Sequence, residues 1–309
     1  MITLWIVVFI VSLMVLVKGA DWLLDSSEKI GLRIGMSPFV IGVTIVAFGT
    51  SLPELISSFV AVYNGIPDFV IANVVGSNIA NILLVVGLAT LISKRLQVTK
   101  DLIDLDLPLL AISTSIFLLV AWDGSVNFFE SLFLIATYII YLGFSLIYKD
   151  DEAYKKVERP NVTSTDLLML VIGATGLALG AKYLIDSVEQ LSLMLDIAPG
   201  VIAITAVAMG TSLPEIIVSV KAAFRHQSEV ALGNVFGSNI FNVLAVVGLP
   251  GLFGTLMIDE KTLLIGLPVL VMATLLFIIS GISRRVHIQE GVLFLLLYVI
   301  FIAKLFGLF

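Results

Sequence analysis

The chain alternates apolar runs of about twenty residues, the length that crosses a hydrocarbon core, with short polar connections. Ten runs are predicted, near 2–18, 37–62, 70–92, 107–122, 127–148, 166–186, 198–223, 230–251, 262–281 and 289–308. The one long polar break, Lys149 to Asp166, reads KDDEAYKKVERPNVTSTD and splits the chain into halves of similar size. It is too short for a regulatory domain. The expected organisation is a first five-helix repeat over 1–148, a linker loop over 149–165 and a second repeat over 166–309.

The halves are copies. From Gly19 to Leu88 a register of 161 residues holds without a gap. Gly19, Ala20, Asp25, Ser26 and Glu28 recur as Gly180, Ala181, Asp186, Ser187 and Glu189, and Asn73 recurs as Asn234. Gly76-Ser77-Asn78-Ile79 recurs as Gly237-Ser238-Asn239-Ile240, Asn81 as Asn242, and Gly87-Leu88 as Gly248-Leu249. After one deleted residue the likeness continues more weakly, in Leu107-Pro108 with Leu267-Pro268, Glu130 with Glu290 and Tyr138 with Tyr298. The short fourth run is supported by its better-formed copy, the ninth. Five runs per half is an odd number, so the second copy enters the membrane from the opposite side. The expected fold is an all-α integral membrane protein with ten transmembrane helices in two inverted-topology five-helix repeats, with broken helices at the core.

Charge tests that count. Of the 17 lysines and arginines, all but Lys182, Lys261 and Lys304 fall at connections after odd-numbered runs. The positive-inside rule makes that side cytoplasmic, with both termini outside a cell membrane. At 59% hydrophobic and 13% charged, the composition sets a soluble fold aside, since soluble domains carry about a quarter charged residues. The net charge of −6 comes without a basic patch, so no nucleic-acid partner is expected. The absence of cysteine removes disulfides and thiolate metal sites. The first run lacks a basic leader and a clear small-residue cleavage site, and reads as a span rather than a signal peptide.

Two stretches carry candidate chemistry. Gly49-Thr50-Ser51-Leu52-Pro53-Glu54 and Gly210-Thr211-Ser212-Leu213-Pro214-Glu215 both read GTSLPE in mid-run. A carboxylate at membrane depth costs about 2.5–3.5 kcal/mol on the insertion scale and usually marks an ion pathway. Pro53 has no N–H for the Gly49 carbonyl, which predicts a break near Gly49–Ser51 and two half-helices. The carbonyl end of the first half would favour a cation. Hydroxyls and a carboxylate gather at the same place, an all-oxygen set suited to hard cations. The same residues also read as a capping box, Ser51-x-x-Glu54 with Pro53 in the first turn. The two readings are compatible. Two facing carboxylates at mid-membrane, however, need a proton or a cation between them.

Runs three and eight supply GSNIANIL and GSNIFNVL. Gly76 and Ser77 suit close packing, with Asn78 as interhelical glue. Ser77 and Asn81 also share one helix face, placing neutral oxygens beside Glu54. Asp25, Glu28, Asp186 and Glu189 recur near span ends and read as mostly solvated, with ion access as the second reading.

The paired GTSLPE and GSN-x-x-N segments resemble the two α-repeats of the cation/calcium exchanger superfamily. The nearest branch resembles the prokaryotic sodium/calcium exchangers over essentially the whole chain. The resemblance implies antiport of about three Na⁺ for one Ca²⁺ through a shared mid-membrane site. It implies Glu54 and Glu215 as the principal Ca²⁺ ligands. Thr50, Thr211, Ser51, Ser212, Ser77 and Ser238, with the carbonyls of Ala47 and Ala208, would serve Na⁺. Asn81 and Asn242 would face each other across the centre. No cofactor is implied, and the partners are Na⁺, Ca²⁺ and the bilayer, with no protein partner evident. Potassium-dependent relatives carry Asp at the position of Asn242, so two carboxylates rather than three argue against K⁺ co-transport. GTSLPE also differs from the GN-x-x-E pattern of proton/calcium exchangers.

The expected mechanism is alternating access, with runs one and six rocking over a fixed core and Gly19-Ala20 and Gly180-Ala181 as flex points. A Ca²⁺/H⁺ antiporter using the same glutamates is the alternative, and a cation channel a remoter one. An enzyme is disfavoured: the two histidines, His226 and His287, lie near run ends, and no HExxH or GxSxG arrangement occurs.

Overall fold

The computed structural model of the protein describes residues 2–97, 106–147, 160–194, 211–283 and 285–308. The first half forms α1 (Ile2–Ile34), α2 (Pro38–Tyr63), α3 (Asp68–Ser93), α4 (Leu107–Asp123) and α5 (Phe128–Ile147). The second forms α6 (Ser164–Met194), α7 (Leu213–Phe224), α8 (Ser228–Gly251), α9 (Thr262–Ile282) and α10 (Ile288–Leu305). Eight of these are long and apolar enough to cross a membrane; α4 is shorter, and α7 is the described part of the seventh span. Helices satisfy every backbone group within the segment, which the hydrocarbon core demands. The ten predicted runs map one-to-one onto these helices.

Two predicted runs are too short. α1 continues past Lys18 to Ile34, and α6 continues to Met194. The pair lies antiparallel, with Gly180 against Leu16 and Gly173 against Leu23, as inversion of the second copy requires. Polar residues beyond the apolar stretch find partners on the other helix: Lys29 Nζ reaches Asp166 Oδ1 at 2.9 Å. Gly19 and Gly180 are therefore not flex points. Both lie inside unbroken helix, where a Cβ on Gly19 would come within 2.9 Å of the Gly173 carbonyl oxygen and one on Gly180 within 2.8 Å of the Leu16 nitrogen. They are the contact points of a small-residue crossing.

The break expected near Gly49–Ser51 is absent from the first copy. Ser37 caps α2, accepting from the Val40 N–H at 3.2 Å, and the helix runs through a π-turn at Gly42–Val46 and past Pro53 without interruption. In the second copy Thr211 and Ser212 form a turn, and α7 starts at Leu213. Pro214 then lies in the first helical turn, where its missing N–H has no intrahelical partner to lose. The preceding residues 195–210, including Ala208, lie outside the described residues. Further π-turns occupy Ala80–Val85 in α3 and Asn242–Val246 in α8, which are equivalent positions in the repeat, and Thr262–Gly266 in α9.

Two short antiparallel ribbons tie the halves together. β1 (Arg95–Gln97) pairs with β4 (Arg285–His287), and β2 (Ser125–Val126) with β3 (Leu256–Met257). Each ribbon takes one strand from each half, and the repeat register exchanges one ribbon for the other. The central stretch of α8 is wholly buried within the bundle, while α1 exposes most of its apolar surface. The main apolar core joins α3, α8, α9 and α10; a separate cluster joins α1 and α6 to parts of α2, α7 and α8.

Candidate functional site

The GTSLPE stretches meet in the middle of the bundle. Glu54 on α2 and Glu215 in the first turn of α7 are both completely buried. Ser51, one turn before Glu54, donates to Glu215 Oε1 at 2.8 Å, and its Oγ lies 2.9 Å from Ser238 Oγ on α8. Thr50 Oγ1 lies 3.2 Å from the Ala47 carbonyl oxygen, 3.1 Å from Asn234 Oδ1 and 3.4 Å from Ser238 Oγ. The mirrored wall has Ser77 Oγ 3.0 Å from Thr211 Oγ1, with Thr211 donating to Asn73 Oδ1 at 3.1 Å. Ser212 is buried beside them at the start of α7.

The capping-box reading fails in both copies. Ser51 lies inside a helix and spends its hydroxyl on Glu215. Ser212 occupies the N-cap position of α7 but makes no side-chain cap bond. The GSN motif divides as the two readings suggested. Asn78 Nδ2 donates to the Asn239 carbonyl oxygen at 3.0 Å and joins the halves as glue, while Ser77 and Ser238 enter the polar centre.

Several buried oxygens there have no partner among the described residues: both of Glu54, Oε2 of Glu215, and the amide oxygens of Asn81 and Asn242. Neither glutamate belongs to any of the ion pairs found. An unsatisfied buried polar group costs about 1–3 kcal/mol, and native structures keep few of them. A cluster of them marks a place for a ligand. Asn81 and Asn242 begin their π-turns, a helix defect common at functional positions. Carboxylates, hydroxyls, carbonyls and amides offer a cation only oxygen. No group of three or more His, Cys, Asp or Glu that could hold a metal ion occurs among the described residues.

A cavity of about 440 Å³ runs from Asn73, Ser77, Thr211 and Ser212 to Asp259 and Lys261 at the start of α9, between walls of Phe69, Tyr298 and Phe301. The opposite side is closed. Among the described residues a Cβ on Gly76 would meet nothing within 4 Å, whereas one on its copy Gly237 would collide with the Val43 carbonyl oxygen. Phe69 is 41% exposed and its copy Val230 4%. Two of the acids expected to be solvated help to hold the closed side. Asp25 pairs with Arg225 at 2.5 Å and Glu28 accepts from Gln227 at 2.9 Å, while Asp21 pairs with Arg225 at 2.7 Å and Lys221 at 2.6 Å. Asp186 is partly exposed and Glu189 exposed.

Asn73, Asn234 and Ser219 belong to this network but were not candidate site residues. The recurrence of Asn73 as Asn234 was the signal that pointed to two of them.

The family model described as sodium/calcium exchanger protein matches residues 4–147 and again 165–307. The chain is 33% identical to the sodium/calcium exchanger MaX1 of Methanosarcina acetivorans over 99% of both chains. It is 36% identical to an uncharacterized membrane protein of Methanocaldococcus jannaschii over 96% of both. Among solved structures, the sodium-calcium exchanger NCX_Mj soaked with Na⁺ and Sr²⁺ superposes with a TM-score of 0.85 at 35% identity, covering 98% of this chain and 99% of that one. The chain, a multi-pass membrane protein built of two repeats around paired buried glutamates, belongs to the sodium/calcium exchanger family of antiporters.

Proposed function

We propose that the protein exchanges Na⁺ for Ca²⁺ by alternating access, with about three Na⁺ moving against each Ca²⁺. The carrying observation is the pair of buried carboxylates from opposite repeats, three of whose four oxygens have no hydrogen-bond partner among the described residues. Glu54 and Glu215 serve as the Ca²⁺ ligands. Thr50, Ser51, Ser77, Thr211, Ser212 and Ser238, with the Ala47 and Ala208 carbonyls, complete the Na⁺ positions, and Asn81 and Asn242 line the centre. Charge supports exchange. Two ionised glutamates are neutralised by one Ca²⁺ and carry a single net positive charge with three Na⁺, whereas the ion-free pair is doubly negative. The loaded forms can cross between states and the empty form cannot, since a doubly negative pair in low dielectric costs far more than a neutral or singly charged site. Three Na⁺ per Ca²⁺ also makes the exchange electrogenic.

In this reading the termini are extracellular and the 149–165 loop is cytoplasmic. The cavity at Asp259 and Lys261 then opens outward, and the Asp21–Arg225 side faces the cytoplasm. The closely packed α1–α6 pair moves as a unit over the rest. The test is Ca²⁺ uptake into proteoliposomes driven by a Na⁺ gradient at fixed pH and two clamped voltages. Uptake that requires Na⁺ and changes with voltage is expected. Uptake driven by a pH gradient and indifferent to Na⁺ would replace this reading with Ca²⁺/H⁺ antiport, and flux without a counter-ion would make the protein a channel.

A further inference from the structure

One hydrogen-bond pattern obeys the repeat symmetry and its neighbour breaks it. Thr50 donates to Asn234 Oδ1 and Thr211 donates to Asn73 Oδ1, both at 3.1 Å. Under the register of 161 residues these are one bond made twice. The amide nitrogens differ. Asn234 Nδ2 donates to Ser219 Oγ at 2.9 Å. The copy of Ser219 is Ser58, yet Ser58 Oγ and Asn73 Nδ2 are both buried and neither has a partner among the described residues. The asymmetry follows the cavity. Asn73 lines it, and Asn234 is completely buried on the closed side.

We infer that Asn73 and Asn234 are positioning residues that aim the Thr211 and Thr50 hydroxyls into the ion site, and that each latches to its serine only when its own side is closed. Asn234–Ser219 is the latched pair in the state seen here, and Asn73–Ser58 is the latched pair of the mirrored state. An amide carries its acceptor and donors in one rigid plane, so fastening the nitrogen fixes where the oxygen points. The oxygen in turn holds the threonine. Unpartnered buried groups raise the free energy of the state that contains them. The present state bears that cost at Ser58 and Asn73, and the mirrored state would bear it at Ser219 and Asn234. Switching sides exchanges one bond for its copy, which keeps the two states close in energy. The inference rests on alternating access as proposed above.

The chain has no cysteine, so single cysteines report access cleanly. Phe69→Cys probes the open side and Val230→Cys its copy on the closed side. Each is reacted with a small polar maleimide, in protein held in lipid nanodiscs. Ser219→Ala is expected to raise labelling at 230 relative to 69 by about two- to ten-fold, the range set by one neutral hydrogen bond. Ser58→Ala is expected to move the ratio by a similar factor the other way. Ratios that stay unchanged, or that shift in the same direction for both serines, would overturn the inference. The labelling is read without any flux. Failure of the unmodified protein to exchange Na⁺ for Ca²⁺ would therefore overturn the transport proposal, while the ratio still decides the latch.

Discussion

Replacing Glu54 by Gln removes one of two charges from a completely buried site while keeping its shape. At an effective permittivity of about 20, unit charges about 4 Å apart interact by about 4 kcal/mol, so a divalent ion and one carboxylate attract by about 8. On the same scale the two carboxylates repel each other by about 4 kcal/mol with or without Ca²⁺, so the repulsion weighs on folding stability and cancels from the affinity. The loss is about 8 kcal/mol, or roughly a million-fold in Ca²⁺ affinity. The assay is thermal unfolding of purified protein titrated with Ca²⁺. At a concentration about a thousand times the parent's dissociation constant, Ca²⁺ stabilises the native protein by about 4.1 kcal/mol, and the same concentration should leave Glu54→Gln essentially unstabilised. In ion-free buffer the variant should be at least as stable as the parent. It exchanges an acid whose two oxygens lack partners among the described residues for a neutral amide, and removing an uncompensated buried charge relieves its desolvation cost. A variant that keeps the full Ca²⁺-dependent rise in melting temperature would refute the site assignment.

Other outcomes follow from the same geometry. Glu215→Gln should likewise abolish most Na⁺-driven Ca²⁺ uptake, measured in proteoliposomes, while the protein still folds. Asn242→Asp places a third carboxylate at a completely buried position and should make exchange pH-sensitive; an unaltered pH–rate profile would remove Asn242 from the centre. Gly237→Ala should destabilise by about 1–3 kcal/mol, because its methyl meets the Val43 carbonyl, whereas Gly76→Ala, which meets nothing within 4 Å among the described residues, should leave the melting temperature close to that of the parent. Arg225→Gln breaks contacts to partly exposed Asp21 and Asp25, so its cost should be no more than about 1 kcal/mol and should shrink in high salt, read as unfolding at two ionic strengths.

The interruption near Pro53 shows where local reasoning reaches its limit. One motif, identical in all six letters, lies within unbroken helix in α2 and at the N-terminus of α7, which begins at Leu213. Local chemistry is the same in both places, so the surroundings select the outcome. Gly19 carries the same lesson, since a glycine in a polar-flanked stretch is equally consistent with a hinge and with a helix crossing. The Gly173 carbonyl beside it decides for the crossing.

What the amino-acid sequence determined by itself was the repeat and everything that follows from counting it. Apolar run length sets the number of spans because the hydrocarbon thickness is constant. An odd count per copy forces inversion, and two acids too costly to bury without purpose mark the candidate site. What the tertiary structure alone decided was which partner each polar group takes and which side of the centre is open. Ser219 and Ser58 are the same residue in the same register, yet only Ser219 is bonded to its asparagine. A repeated sequence is compatible with two mirrored packings, and only the packing of α2 against α8 shows which one the chain occupies.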